Sequence, residues 1–261
     1  MQQPLYEIKN MSASIKGVVV LSISNFEIHR GITYAIIGPP GAGKTSLLEA
    51  LAGLRPLSEG SIQYDGQALT GRRSIDNFKD EVCYLPQAPV RGWAARGTVE
   101  RYMLSGIRTA SWSTDSADKR LQELARPLNL TSTLARSVKT LSPGERRKID
   151  LAICLASDAK VLLLDELELH LGVEDLAQVK RQIQRKCGYE GTTVVLSTLS
   201  PHTMRGMTGV SVTLDRGRIA SIRSVREGGR GRQSQTSGRG GGRPTRSASR
   251  RGTASRQPRR P

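Results

Sequence analysis

Two short runs of residues in this sequence carry chemistry by their types and spacing. The first is Gly38-Pro39-Pro40-Gly41-Ala42-Gly43-Lys44-Thr45, with the β-branched run Thr33–Ile37 ahead of it and a helical pattern opening at Ser46 behind it. Glycines at 38, 41 and 43 let a backbone turn tightly and aim its N–H groups at one point, and the start of a helix adds a field that favours an anion. Lys44 has the reach to meet the outer phosphates of a nucleotide, and the Thr45 hydroxyl is placed to ligate a Mg²⁺ bridging them. Strand, glycine loop and helix in this order make a P-loop, which implies that residues 38–46 bind a nucleoside triphosphate. A glycine-rich helix cap explains the turn but not Lys-Thr directly after the last glycine.

The second run is Val161-Leu-Leu-Leu-Asp165-Glu166, which sets two carboxylates at the end of an apolar strand. In a doubly wound sheet the ligand crevice lies at such strand ends. Asp165 is expected to hold Mg²⁺ there, and Glu166, one residue on, to polarise an attacking water as general base. A strand ending in solvated acids is the plainer reading, and the P-loop upstream weighs against it.

A third segment, Leu141-Ser142-Pro143-Gly144-Glu145, leads into Arg146-Arg-Lys-Ile-Asp-Leu-Ala-Ile-Cys-Leu-Ala. Alone it reads as a helix N-cap, with Ser142 and the N–H groups around Gly144 forming a second anion site at a helix start. In its place before the acidic strand it resembles the signature motif of the ATP-binding cassette (ABC) ATPases, ordinarily Leu-Ser-Gly-Gly-Gln. Tyr84-Leu-Pro-Gln87 resembles that family's Q-loop, and the likeness spans residues 5 to 223. The resemblance implies an α/β P-loop NTPase sheet with an N-terminal antiparallel β layer and an inserted α-helical subdomain. It also implies an ATP hydrolase that works with ATP and Mg²⁺. Gln87 would contact the metal or the attacking water. Ser142 and Gly144 would face the γ phosphate held by a second ABC ATPase domain, identical or different. An integral membrane subunit would be the further partner, which places the chain in the cytoplasm, peripheral on a membrane. The rival reading is a non-transport nucleotide switch.

The family pattern breaks in several places. Leu199 stands where a histidine ordinarily reaches the γ phosphate, and His202 follows three residues later. Ile15 stands near the usual adenine-stacking aromatic, with Tyr6 as a possible substitute. Leu167 replaces the proline after the acids, and Gly172 replaces an aspartate of the segment linking two active sites. A leucine cannot donate to phosphate, so the resemblance implies slow hydrolysis at this P-loop; in a heterodimer, that site would be paired with a competent one completed by Ser142 and Gly144.

These residues need a scaffold. Thr33–Ile37, Glu81–Leu85, Val161–Leu164 and Thr193–Ser197 read as strands of a parallel sheet, the last three apolar enough to be buried on both faces. Leu5–Phe26 with Ser61–Gln67, around an Asp65-Gly66 turn, reads as a small antiparallel layer. Between residues 89 and 140 the strand signal stops, and Thr98–Ile107 and Ala117–Leu128 look helical. In that insertion Val90, Trp93, Tyr102 and Met103 are candidates either for a groove that receives the membrane subunit or for core packing. Gly209–Leu214 and Arg218–Ile222, turning at Asp215-Arg216-Gly217, close a domain spanning 1–226.

Composition bounds the rest. The chain has 261 residues and a formal charge of +17, but ten arginines and no Asp, Glu or Lys fall in residues 228–261, leaving +7 for residues 1–227. Residues 227–261, rich in Arg, Gly and Ser, cannot offset the entropy of ordering and are expected to be disordered. A solvated extension is the plainer reading of such a tail, and anionic lipid or nucleic acid is the partner it would otherwise attract. The three cysteines, Cys83, Cys154 and Cys187, lack zinc-site spacing and suit a reducing compartment. No apolar run is long enough to cross a bilayer, so work at a membrane calls for a partner chain.

Overall fold

The computed structural model describes residues 3–69, 78, 80–88, 97–109, 117–207 and 209–225. In chain order its first strands and helix are β1 (Tyr6–Ile15), β2 (Val18–Ile28), β3 (Thr33–Ile37), α1 (Lys44–Leu51), β4 (Glu59–Tyr64), β5 (Gln67–Ala68) and β6 (Val82–Leu85). Then come α2 (Val99–Thr109), α3 (Ala117–Ala125), α4 (Pro143–Ala156), β7 (Val161–Leu164), α5 (Val173–Glu190), β8 (Thr193–Thr198), β9 (Gly209–Asp215) and β10 (Arg218–Val225).

The antiparallel layer is a sheet of order β2-β1-β4-β5. Its hairpins turn at Lys16-Gly17 and Asp65-Gly66, where all four residues have positive φ (49°, 80°, 50° and 75°). Such turns match the right-handed twist of the strands they join. The second sheet has the order β10-β9-β3-β8-β7-β6. It is parallel from β9 through β6, with β10 antiparallel on its edge.

The parallel strands divide the core because alternate side chains point to opposite faces. Leu162 and Leu164 of β7, with Ala35 and Ile37 of β3, pack in the cluster that includes residues of α2 to α5. Val161 and Leu163, with Tyr34 and Ile36, pack on the other face with α1 and the antiparallel layer. This two-sided burial lifts the carboxyl ends of β3 and β7 to one edge, where the P-loop and the acid pair follow them.

Four readings need correction. The expected strand Glu81–Leu85 begins at Val82 and is the sheet's edge, so Val82, Cys83 and Tyr84 are only half-buried. The helix expected to reach Leu128 stops at Ala125, and the chain reverses at Asn129 with φ 52°. Met103 is fully buried and belongs to the core rather than to a groove, while half-buried Tyr102 donates to Asp150 Oδ1 at 2.8 Å with Arg146 over its ring at 4.4 Å. Tyr6 is fully buried, donates to the Leu51 carbonyl at 3.2 Å and meets Tyr64 and Phe78 edge-on, so it is not a base-stacking surface. Val90, Trp93 and the arginine-rich tail lie outside the described residues. Within them, no helix is long and apolar enough to cross a membrane.

Candidate functional site

The P-loop runs from the end of β3 to the start of α1. Pro39, Pro40 and Gly41 form its exposed rim, while Ala42, Lys44 and Ser46 are buried. Gly43 caps α1 with φ 97°, and a Cβ there would fall 2.8 Å from the Val20 carbonyl oxygen of β2. A Cβ at Gly38 would sit 2.4 Å from the Leu214 oxygen of β9. Both positions are therefore closed to any side chain. Lys44 folds its ammonium across the loop, donating to the carbonyls of Gly38 at 2.8 Å and Pro39 at 3.0 Å. The cation is thus held over the cradle before any anion arrives.

From Thr45 a line of hydrogen bonds leads through the acid pair. The Thr45 hydroxyl donates to Asp165 Oδ2 at 2.7 Å. Ser197, at the end of β8, donates to Asp165 Oδ1 at 2.5 Å and accepts from the Glu166 backbone N–H at 2.7 Å. The Glu166 carboxylate accepts from Gln87 Nε2 at 2.9 Å. Asp165 is fully buried, and these two hydroxyls each satisfy one of its carboxylate oxygens. Glu166 sits at φ 47°, a left-handed conformation that costs a non-glycine residue on the order of 1–2 kcal/mol and persists where neighbours hold it.

Some of this the sequence left unmarked. Ser197 is the polar end of an apolar strand, and that is the one local signal it offers. Arg147 is 5% exposed and donates to the carbonyls of Pro86 at 2.8 Å, Asp165, and Glu166 at 3.2 Å. Glu168 accepts from the Thr198 hydroxyl at 2.6 Å and from the Leu199 N–H at 2.9 Å. Burial lowers the Arg147 pKa, against the pull of nearby groups including Asp165 and Glu166.

Ser142 is the N-cap of α4. Its hydroxyl accepts from Glu145 N at 3.2 Å, and the Glu145 carboxylate returns to Ser142 N at 2.8 Å, with Pro143 at the first turn. This capping box satisfies two orphan donors and leaves the Ser142 hydroxyl a hydrogen to give an anion. A Cβ on Gly144 would fall 2.5 Å from the His170 carbonyl oxygen. Among the described residues no hydrogen bond joins Ser142 or Gly144 to the P-loop of the same chain, so the structure does not bring these two sets together.

The Ser142 N–H and, after it, Arg136 hold the Glu145 carboxyl below its ordinary range. A carboxyl depressed in the folded state stabilises above its unfolded pKa, and that stabilisation disappears as pH falls through the folded value. Glu145→Ala is expected to lower stability by about 0.3–1 kcal/mol at neutral pH, the range for a solvent-screened carboxylate in the first turn of a helix. In urea unfolding at descending pH, the gap to the parent should close on the acid side; a gap independent of pH counts against the ionised cap.

A family profile described as ABC transporter matches residues 21–168, the stretch that holds P-loop, signature segment and acid pair. The chain belongs to the ABC transporter family. Within it, the chain is one of the ATP-binding subunits, a P-loop ATPase. It is 26% identical over 226 residues to the ABC transporter ATP-binding protein YhcH of Bacillus subtilis, covering 85% of this chain and 70% of that protein. It is 27% identical over 229 residues to the spermidine/putrescine import ATP-binding protein PotA of Haemophilus influenzae, covering 86% of this chain and 59% of that one. The second comparison thus spans less than two thirds of the relative's length. The dimeric ATP-binding cassette MJ0796, in a post-hydrolysis state with ADP and phosphate, shares the fold with a TM-score of 0.73 at 18% identity, over 85% of this chain and 99% of that one.

Leu199 is 49% exposed just past β8, where Thr198 stands in register with Ile37, the residue before Gly38. An apolar side chain therefore follows the strand end beside the phosphate loop. His202 is exposed on a 3₁₀ turn, Pro201–Met204, capped by Ser200. Ile15, Val18 and Val19 are exposed at the β1–β2 hairpin.

Proposed function

We propose that this chain binds Mg²⁺-ATP in its P-loop, hydrolyses it with Glu166 as general base, and passes the resulting motion to a separate integral membrane subunit from the cytoplasmic face. The observation that carries the reading is the hydrogen-bonded line from Thr45 through Asp165 and Ser197 to Glu166 and Gln87. It joins the phosphate cradle to the residue that would activate water. A hydroxyl and a carboxylate 2.7 Å apart are hard oxygen donors, and so sparse a set fits Mg²⁺, which keeps several waters and shares phosphate oxygens. Thr45, Asp165 and Gln87 would hold it, and once bound it would neutralise phosphate charge.

Two such domains, head to tail, would each present Ser142 and Gly144 to the other's nucleotide. ATP then bridges the pair, and hydrolysis removes the bridge. Leu199 supports a refinement in which the site on this P-loop turns over slowly and a partner domain supplies the faster one.

Lys44→Ala tests the cradle. Charge-assisted hydrogen bonds contribute about 1.5–3 kcal/mol each, so ATP affinity measured by calorimetry is expected to fall roughly 10- to 100-fold. ATP bound as tightly by the variant would sink the assignment of residues 38–46.

A further inference from the structure

The guanidinium of Arg147 is buried at the fifth residue of α4, the helix capped by Ser142 and carrying Gly144 in its first turn. It donates to three backbone carbonyls from two other segments: Pro86, which precedes Gln87, and the consecutive acids Asp165 and Glu166. Each bond goes to main chain rather than to a carboxylate, so the contact fixes where the backbone lies. An arginine suits this because its planar fork offers five donors in fixed directions, whereas a lysine offers one movable point charge.

The peptide units on either side of the Glu166 Cα are both held. The Glu166 N–H goes to Ser197 and its carbonyl to Arg147, and between them the residue keeps φ 47°. α4 also touches the segment after Glu166 at its first turn, where Gly144 packs against the His170 carbonyl so tightly that a Cβ would fall 2.5 Å away. The helix that offers an anion site at its N-terminus therefore holds the backbone of this chain's own acid pair and the approach to Gln87.

We propose that Arg147 is a positioning residue for hydrolysis, holding the Glu166 and Gln87 backbones in place and transmitting shifts of α4 to them. The inference rests on the hydrolase reading above. It requires that weakening the fork disturb the chemical step while leaving the phosphate cradle, on the far side of Asp165, able to bind.

The test uses the full chain with Arg147→Lys beside wild type, and Arg147→Gln as a second variant. Turnover, binding of a fluorescent ATP analogue, thermal unfolding and hydrogen–deuterium exchange of the nucleotide-free protein are measured together. Misplacing a reacting group by about 1 Å can slow a reaction on the order of 10²-fold, so kcat is expected to fall about 10- to 100-fold with KM and analogue affinity changed less than about twofold. Exchange should quicken in the peptides holding Pro86–Gln87 and Glu166–His170 and stay unchanged in α1. Unchanged kcat, or unchanged exchange in those peptides, overturns the proposal. So does a parallel fall of kcat, affinity and melting temperature, or failure of both variants to fold, since each marks a packing role. Wild-type protein without Glu166-dependent turnover sinks the hydrolase reading instead, which separates the two failures.

Discussion

Replacing Glu166 by glutamine is expected to slow ATP hydrolysis roughly 10²- to 10⁴-fold, the range that a positioned general base contributes. The change is close to isosteric. Glutamine keeps a carbonyl oxygen to accept from Gln87 Nε2, and the backbone bonds to Ser197 and Arg147 do not involve the side chain. What disappears is the basic oxygen. ATP affinity should persist, because Lys44, Thr45 and the loop amides are untouched, so binding and turnover separate cleanly. Phosphate release and calorimetric ATP titration on the same samples check it. Retained turnover would remove Glu166 from the chemistry and leave Gln87 or the nucleotide itself to orient water.

Leu199→His is expected to act in the opposite direction, raising turnover on the order of 10²-fold, the usual worth of one preorganised donor to transition-state charge. Thr198 pairs in register with Ile37, so residue 199 follows the strand beside the one that launches the P-loop. Its N–H is already fixed by Glu168 and its side chain is half exposed, which gives an imidazole room and a set backbone. ATP affinity should change less than the rate, because the donor matters most when charge builds on the transferring phosphoryl group. Steady-state phosphate release compares the two proteins. Equal rates would mean that His202 or a partner domain already supplies the donor, or that a step other than hydrolysis limits turnover. The Glu166→Gln comparison is best made in this faster background.

The sequence displayed the parts of this site that are contiguous and hid the parts made by folding. Gly38–Thr45 and Asp165-Glu166 are local patterns with local geometry, so their residue types suffice to suggest their chemistry. Ser197 reaches Asp165 from 32 residues away and Arg147 reaches it from 18. Neither has a neighbour in sequence that signals it. Arg147 in particular lies in a helix rich in basic residues, Arg146-Arg147-Lys148, where a solvated face is the natural reading; yet Arg147 and Lys148 are buried.

The fold shows the same division. Strand patterns exposed the two sheets, because Val161–Leu164 and Thr193–Ser197 are apolar enough to bury both faces, and the Asp65-Gly66 turn among alternating strands marks the antiparallel layer. The edge position of β6 was illegible, since Val82-Cys83-Tyr84-Leu85 is as apolar as an interior strand and what fails to pair beside it leaves no trace in its own residues. Tyr6 misled for a related reason. An aromatic near the N-terminus looks available to a base, but alternation along β1 turns it inward onto Tyr64 and Phe78. Ser142 carries two readings, of which the structure shows the helix cap: the capping box uses its oxygen and leaves its hydrogen free of that role.

The most direct measurement is a single-turnover experiment, with the full chain in excess over radiolabelled ATP, run with Mg²⁺ and with the metal chelated, beside Glu166→Gln. Slow, Mg²⁺-dependent conversion to ADP and phosphate in the wild type and none in the variant is the predicted result. ATP that stays intact on the wild-type chain to the same extent as on Glu166→Gln would contradict it, leaving a P-loop that binds nucleotide without hydrolysing it.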